Sequence, residues 1–125
     1  IYVACGPLGG IHSALVHTTA EAVFVCSCDM PYLSVEVVRK ILRHSTLREV
    51  TFGNDGVHLH PLLGIYPKCI LPIIQAELDQ GSRKVLACIS KVPHTIVDLS
   101  GFEHQLRNVN TTHDYNQQAI AVARC

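Results

Sequence analysis

The chain has 125 residues with ten basic and ten acidic side chains, so its formal charge is zero and its pI is near neutral. That balance gives no electrostatic footing for nucleic acid or an anionic membrane as the main partner. Hydrophobic residues make up 48%, too many for a disordered chain, yet no apolar run approaches the roughly 20 residues of a membrane span.

The length suits a single domain over residues 1–125, with room for a core. No signal peptide opens the sequence. Of six cysteines, Cys26, Cys28, Cys69 and Cys88 lie in apolar, element-like stretches where a free thiol behaves as a small hydrophobe. Reduced thiols and a cytoplasmic location are therefore expected.

In chain order, Ile1-Tyr2-Val3-Ala4-Cys5 has strand character and no preceding element, as though the chain entered a fold halfway. Gly6-Pro7-Leu8-Gly9-Gly10 reads as a sharp turn, followed by a short helix from Ile11 to His17. Ala22-Val23-Phe24-Val25-Cys26 is a buried strand that runs into Cys28-Asp29-Met30-Pro31. Ser34 is a suitable N-cap for a helix from Val35 to His44, with Val37, Val38, Ile41 and Leu42 on its apolar face. A strand from Glu49 to Phe52, a turn over Gly53-Asn54-Asp55-Gly56 and a strand from Leu59 to Tyr66 form a hairpin-like pair. Pro67 begins a helix through Ile70, Leu71, Ile74 and Leu78, and Gly81 ends it. A helix from Ser82 to Ile89 and a strand from Thr95 to Leu99 follow. Asn110 or Thr111 caps a last helix towards Ala123, with Thr111 and Asp114 at capping-box spacing. Strands alternating with helices predict an α/β domain with a mixed, mainly parallel sheet.

Asp29 is the most informative residue. It follows a strand and precedes a proline that stops that strand, at the edge where open α/β sheets bind ligands. A hard carboxylate there can hold a magnesium ion that also carries phosphate oxygens; it can equally cap a helix or close a turn. The glycine-rich run before the first helix can receive an anion on backbone N–H groups, or be a plain tight turn. His58 and His60 share one strand face, but no set of histidines and cysteines has workable metal-ligand spacing, so no structural zinc is expected. Asn108 and Asn110 alternate along the chain and can offer donors and acceptors to a polar heterocycle, or serve a turn and a helix cap.

Taken in order, GPLGGI at 6–11, CDMPYL at 28–33, His60-Pro61-Leu62, Gly81-Ser82-Arg83-Lys84-Val85 and Asn108-Val109-Asn110-Thr111 resemble the molybdenum cofactor guanylyltransferase family. The resemblance runs through nearly the whole chain. It implies a Rossmann-like, three-layer nucleotidyltransferase fold and transfer of GMP from GTP to molybdopterin, with Mg²⁺ required and pyrophosphate released. It implies Asp29 as the catalytic, metal-binding carboxylate. Gly6, Pro7, Leu8, Gly9 and Gly10, with Asp29, would serve the nucleotide, and Asn108, Asn110 and Arg83 the pterin. The implied partners are GTP and molybdopterin, with molybdoenzymes or other cofactor-biosynthesis proteins downstream.

Family members begin with a strand and a loop of the form L-A-G-G-x-S-x-R-M-G followed by lysine, and no such loop occurs here. The chain thus resembles the C-terminal portion of such an enzyme, which would be inactive and aggregation-prone in isolation. Thr112 and His113 stand where Pro and Glu are usual. A cytidylyltransferase acting on the same cofactor, and a non-catalytic nucleotide- or pterin-binding remnant, share several of these features.

Overall fold

The computed structural model describes residues 6–27, 33–82, 84–106 and 119–124. Its elements are α1 (Gly6–His17), β1 (Ala22–Ser27), α2 (Val35–Arg43), β2 (Val50–Asn54), β3 (Leu59–Pro67), α3 (Leu71–Asp79), α4 (Val85–Ile89), β4 (His94–Asp98) and β5 (Ala119–Arg124). Two short 3₁₀ helices, Lys68–Ile70 and Glu103–Leu106, complete the set. The strands form one five-stranded sheet in the order β4-β2-β3-β1-β5.

Alternating side chains divide this sheet between two apolar layers. Val23 and Val25 of β1, Val50 and Phe52 of β2 and Tyr66 of β3 meet Leu8, Ile11 and Leu15 of α1, Ile74 of α3 and Cys88 of α4. Ala22, Leu63, Ile65 and Val97 face the other way, against Val37 and Ile41 of α2, with Leu99 and Leu106. The result is the expected three-layer α/β architecture. One polar group sits uneasily in it: Thr51 is fully buried and its hydroxyl has no partner.

The mixed sheet is as expected, and β1, β2 and β4 share one direction. However, three of the four neighbouring pairs are antiparallel, and only β2–β4 is parallel. β3 turns back from β2 through a tight loop and inserts between β2 and β1, so both of its pairings must be antiparallel.

Other expectations need correction. Residues 6–10 form the opening turns of α1 rather than a separate turn. Leu8 there is 1% exposed and anchors the helix to the core, which draws the glycines into helical geometry. Ser34 stands at the N-cap of α2, but its hydroxyl makes no capping bond. The helix predicted towards Ala123 is replaced over 119–124 by β5, which pairs along the whole of β1 from Ala22↔Arg124 to Ser27↔Ala119. Its alanine-rich sequence favours a helix locally, and the backbone pairing offered by the edge of β1 overrides that preference. The predicted strand over 1–5 and the cap over 110–114 lie outside the described residues.

Candidate active site

β1, β2 and β4 all run towards one edge of the sheet. There Cys26 lies opposite Leu63, Asn54 opposite Leu59, and Asp98 opposite Asn54. Residues 18–21 join α1 directly to β1, and the helix packs against that strand and β5. α1 therefore runs opposite to β1 and brings its N-terminal turn, residues 6–10, to the same edge. In open α/β sheets this carboxyl-end edge is where ligands bind.

Asp29 follows Ser27, the last residue of β1, by two positions, and Asn108 follows Leu106 by two. Asp29, Asn108, Asn110 and Arg83 themselves lie outside the described residues. The structure fixes the points from which these segments leave. Ser27 and Leu106 are both buried, and Leu33 and Leu106 belong to one apolar cluster. Of the glycine-rich residues, Leu8 is committed to the core, Pro7 has no N–H to give, and Gly10 is exposed on the helix.

A further polar arrangement occupies the tip of the β2–β3 hairpin. Asp55 Oδ1 accepts the backbone N–H of Val57 at 2.8 Å and of His58 at 2.7 Å. Its Oδ2 lies 2.9 Å from Nε2 of His60. A carboxylate only accepts, so Nε2 carries the hydrogen of that bond. Asn54 Oδ1 takes the N–H of Gly56, whose φ of +96° suits glycine, and Leu99 N–H donates to the Asn54 carbonyl at 2.7 Å. The Tyr66 hydroxyl donates to the Pro61 carbonyl, holding the strand just past His60. The turn itself was legible from Gly53-Asn54-Asp55-Gly56; the pairing of Asp55 with His60 was not, because an i to i+5 spacing has no fixed meaning until the hairpin register is known. His58 lies in the turn, exposed, rather than sharing a strand face with His60.

The His60 bond, then those from the His58 and Val57 N–H groups, hold the Asp55 carboxyl well below the usual aspartate range. A carboxyl whose pKa is depressed by folding contributes stability above its unfolded pKa, about 3.9, and loses it as pH falls below that value. The stability difference between the wild type and Asp55→Asn is therefore expected to be largest at neutral pH and to shrink on acidification below pH ~4, as read from urea midpoints.

Of the described cysteines, Cys26 is half-buried, Cys69 exposed and Cys88 buried. Cys69 thus departs from its expected core role. Burial, and then the charge of Glu77, push the Cys88 thiol up to about 11. Among the described residues no group of three His, Cys, Asp or Glu side chains could hold a metal ion. No helix among them is long and apolar enough to cross a membrane. A cavity of about 590 Å³ lined by segments 19–21, 47–48 and 68–69 lies at the opposite edge of the sheet, and there Lys68 Nζ is already bonded to the Thr18 carbonyl at 2.6 Å.

Residues 1–96 match the family model described as MobA-like NTP transferase domain. The chain belongs to that family. A Flavobacterium johnsoniae protein named "Probable molybdenum cofactor guanylyltransferase" is 36% identical over 117 residues, covering 92% of this chain and 62% of that protein. The "Molybdenum cofactor guanylyltransferase" of Vibrio vulnificus is 31% identical over 113 residues, covering 90% and 58%. The chain thus spans less than two thirds of the length of these curated relatives. A crystal structure of an Aquifex aeolicus protein superposes with a TM-score of 0.79 at 29% identity, covering 86% of this chain and 57% of that one. Molybdopterin-guanine dinucleotide biosynthesis protein A from Archaeoglobus fulgidus superposes at 0.70 with 22% identity and the same coverages, a likeness of fold. Fold and family agree on a MobA-like NTP transferase architecture.

Proposed function

We propose that this MobA-like chain serves the transfer of GMP from GTP to the terminal phosphate of molybdopterin. An oxygen of that phosphate forms a bond to the α-phosphorus of GTP. The bond from that phosphorus to the oxygen bridging to the β-phosphate breaks, and pyrophosphate leaves with the electron pair. The observation that carries this reading is the convergence on one sheet edge of the end of β1, two residues before Asp29, the first turn of α1, and the 3₁₀ helix that leads to Asn108. The names of the relatives supply the nucleotide and the acceptor.

Such a transfer needs positioning and charge neutralisation more than covalent help. Backbone N–H groups at the α1 N-terminus would face the nucleotide phosphates. Asp29 would hold Mg²⁺, and Asn108, Asn110 and Arg83 would orient the pterin. The donor set fits magnesium, which is commonly held by one or two carboxylates together with substrate phosphates rather than by a protein cage. When bound, the ion would neutralise charge on the phosphates. The free thiols of Cys69 and Cys88 support a reducing, cytoplasmic setting, and molybdoenzymes are the partners that would receive the product.

The test is an assay of the protein in its full natural length with Mg²⁺ and molybdopterin. Pyrophosphate release matched by guanylylated pterin, with GTP and not with CTP, is expected. Release with CTP alone would move the reading to cytidylyl transfer, and release with neither nucleotide would overturn it.

A further inference from the structure

We propose that two copies of this chain pair through β4, antiparallel and in the register that sets Ile96 against Ile96 across a two-fold axis. This pairing is independent of the transfer reaction.

β4 ends the sheet, and among the described residues β2 is the one strand paired with it. The two run parallel in unbroken register from Val50↔His94 to Asn54↔Asp98. Bonds at the two ends of this ladder show which groups it uses. Val50 N–H donates to the Pro93 carbonyl at 3.0 Å, and Leu99 N–H donates to the Asn54 carbonyl at 2.7 Å. Successive residues of a strand turn their backbone groups to opposite sides, so Pro93, Thr95, Val97 and Leu99 face β2. The N–H and C=O groups of His94, Ile96 and Asp98 therefore point outward, where no described strand meets them. Such an edge is a template for another strand, and proteins commonly guard it with proline, lysine or a bulge. The sequence of β4, His94-Thr95-Ile96-Val97-Asp98, has no proline or lysine, and its register has no shift.

The same five residues select a second copy as the occupant. In an antiparallel pairing centred on Ile96, that residue meets its own counterpart, and His94 meets Asp98 of the second copy at both ends. These become the positions at which two residues exchange both backbone bonds, so every outward group of His94, Ile96 and Asp98 is used. Their side chains share one face of the strand, and all three are exposed, Ile96 by 44%. Leu86 of α4, the helix on that side of the sheet, is exposed to the same extent. His94 Nδ1 lies 2.9 Å from the Val92 carbonyl and must donate to it, so Nε2 of the imidazolium is the donor left for a carboxylate. Asp98 receives the N–H and the hydroxyl of Ser100, both on Oδ1. Opposite charges facing each other across two strands attract, and like charges repel. Parallel pairing in register would set His94 beside His94 and Asp98 beside Asp98. An antiparallel slip of two residues would part each charge from its counterpart. The two-fold register alone matches both ends. Five residues make a small interface, so the expected dimer is weak, with a Kd of roughly 10–100 μM.

The test is sedimentation velocity of the full-length protein at about pH 6, where imidazole side chains are commonly charged. Between about 1 and 500 μM a reversible monomer–dimer equilibrium is expected. His94→Asp opposes two carboxylates at each end of the pairing, and Asp98→Lys opposes two cations. Each variant alone should raise Kd about tenfold or more. An equimolar mixture of the two restores an opposite-charge pair at both ends, and it should dimerise about as well as the wild type. Ile96→Pro removes an outward N–H while sparing the ladder to β2, and it should abolish the dimer. A wild type that stays monomeric across the range would overturn the proposal and leave this edge to a strand of another protein. Self-association unchanged in both charge variants would overturn it too, as would a mixture that associates no better than its parts.

Discussion

Asp29→Asn is expected to reduce guanylyl transfer by two to four orders of magnitude while leaving the fold almost unchanged. The substitution keeps the size and shape of the side chain and removes its charge. A neutral amide is a poor ligand for a hard divalent cation, and loss of groups that neutralise charge during phosphoryl chemistry costs roughly 10²–10³ or more in rate. Stability should change little, because the amide is isosteric with the carboxylate and the described core is built from the two apolar layers on either side of the sheet. The measurement is initial rate against magnesium concentration, alongside a urea unfolding curve. A partial rescue at high magnesium is expected, because the proposed defect is weakened metal binding. Near wild-type turnover at limiting magnesium would remove Asp29 from the chemistry.

Gly64→Ala should have the largest effect on stability. Gly64 lies in β3 between two neighbours, paired with Val25 of β1 and Phe52 of β2. A Cβ built there would stand 2.2 Å from the Thr51 carbonyl oxygen and 2.8 Å from the Phe52 Cα. Both are backbone atoms, so no rotamer change can make room. The register shift between Phe52 and Gly53 brings β2 in close at this point; such irregularities, and close backbone approach, are where a strand glycine has a purpose. Relief would require peeling β2 away from β3, which would open both apolar layers at once. The expected cost is roughly 3–5 kcal/mol, a large part of the 5–15 kcal/mol typical of a whole domain. Chemical denaturation would measure it, with Gly10→Ala as a control. Gly10 is exposed on α1, where alanine should be neutral or stabilising by up to about 1 kcal/mol. A Gly64→Ala protein as stable as the wild type would mean that β2 and β3 do not approach as described.

Much of this architecture could be read directly from residue order. The apolar run of β1, the 3.6-residue spacing of Val37, Ile41 and Leu42, the Gly53-Asn54-Asp55-Gly56 turn and the stop at Gly81, with its φ of +85°, each reflect a local rule. The failures share a different cause. β5 reads as a helix because its alanines and the capping-box spacing of Thr111 and Asp114 are local signals, whereas its strand conformation is set by the distant edge of β1. The glycine-rich run reads as a turn because nothing adjacent in sequence reveals that Leu8 is needed in the core. Counting alternating strands and helices gives the common direction of β1, β2 and β4, but cannot show that β3 inserts between β1 and β2. Asp29 was singled out by its place after a strand, and it lies outside the described residues. Asp55 with His60 was missed because it is a meeting of segments that only the fold brings together.

The placement of β5 also sets an order of events during synthesis. β2 and β3 are separated only by a tight loop, so they can pair soon after both have left the ribosome, at little entropic cost. β1 emerges earlier than either, yet its second edge is covered by residues 119–124. The strand translated first among those described is thus the last to gain both neighbours. Until then its backbone groups are open to strands of other chains, the circumstance in which intermolecular pairing and aggregation begin. Slow translation between β3 and β5 would prolong that exposure, and a chaperone that binds extended apolar segments would shorten its effective duration.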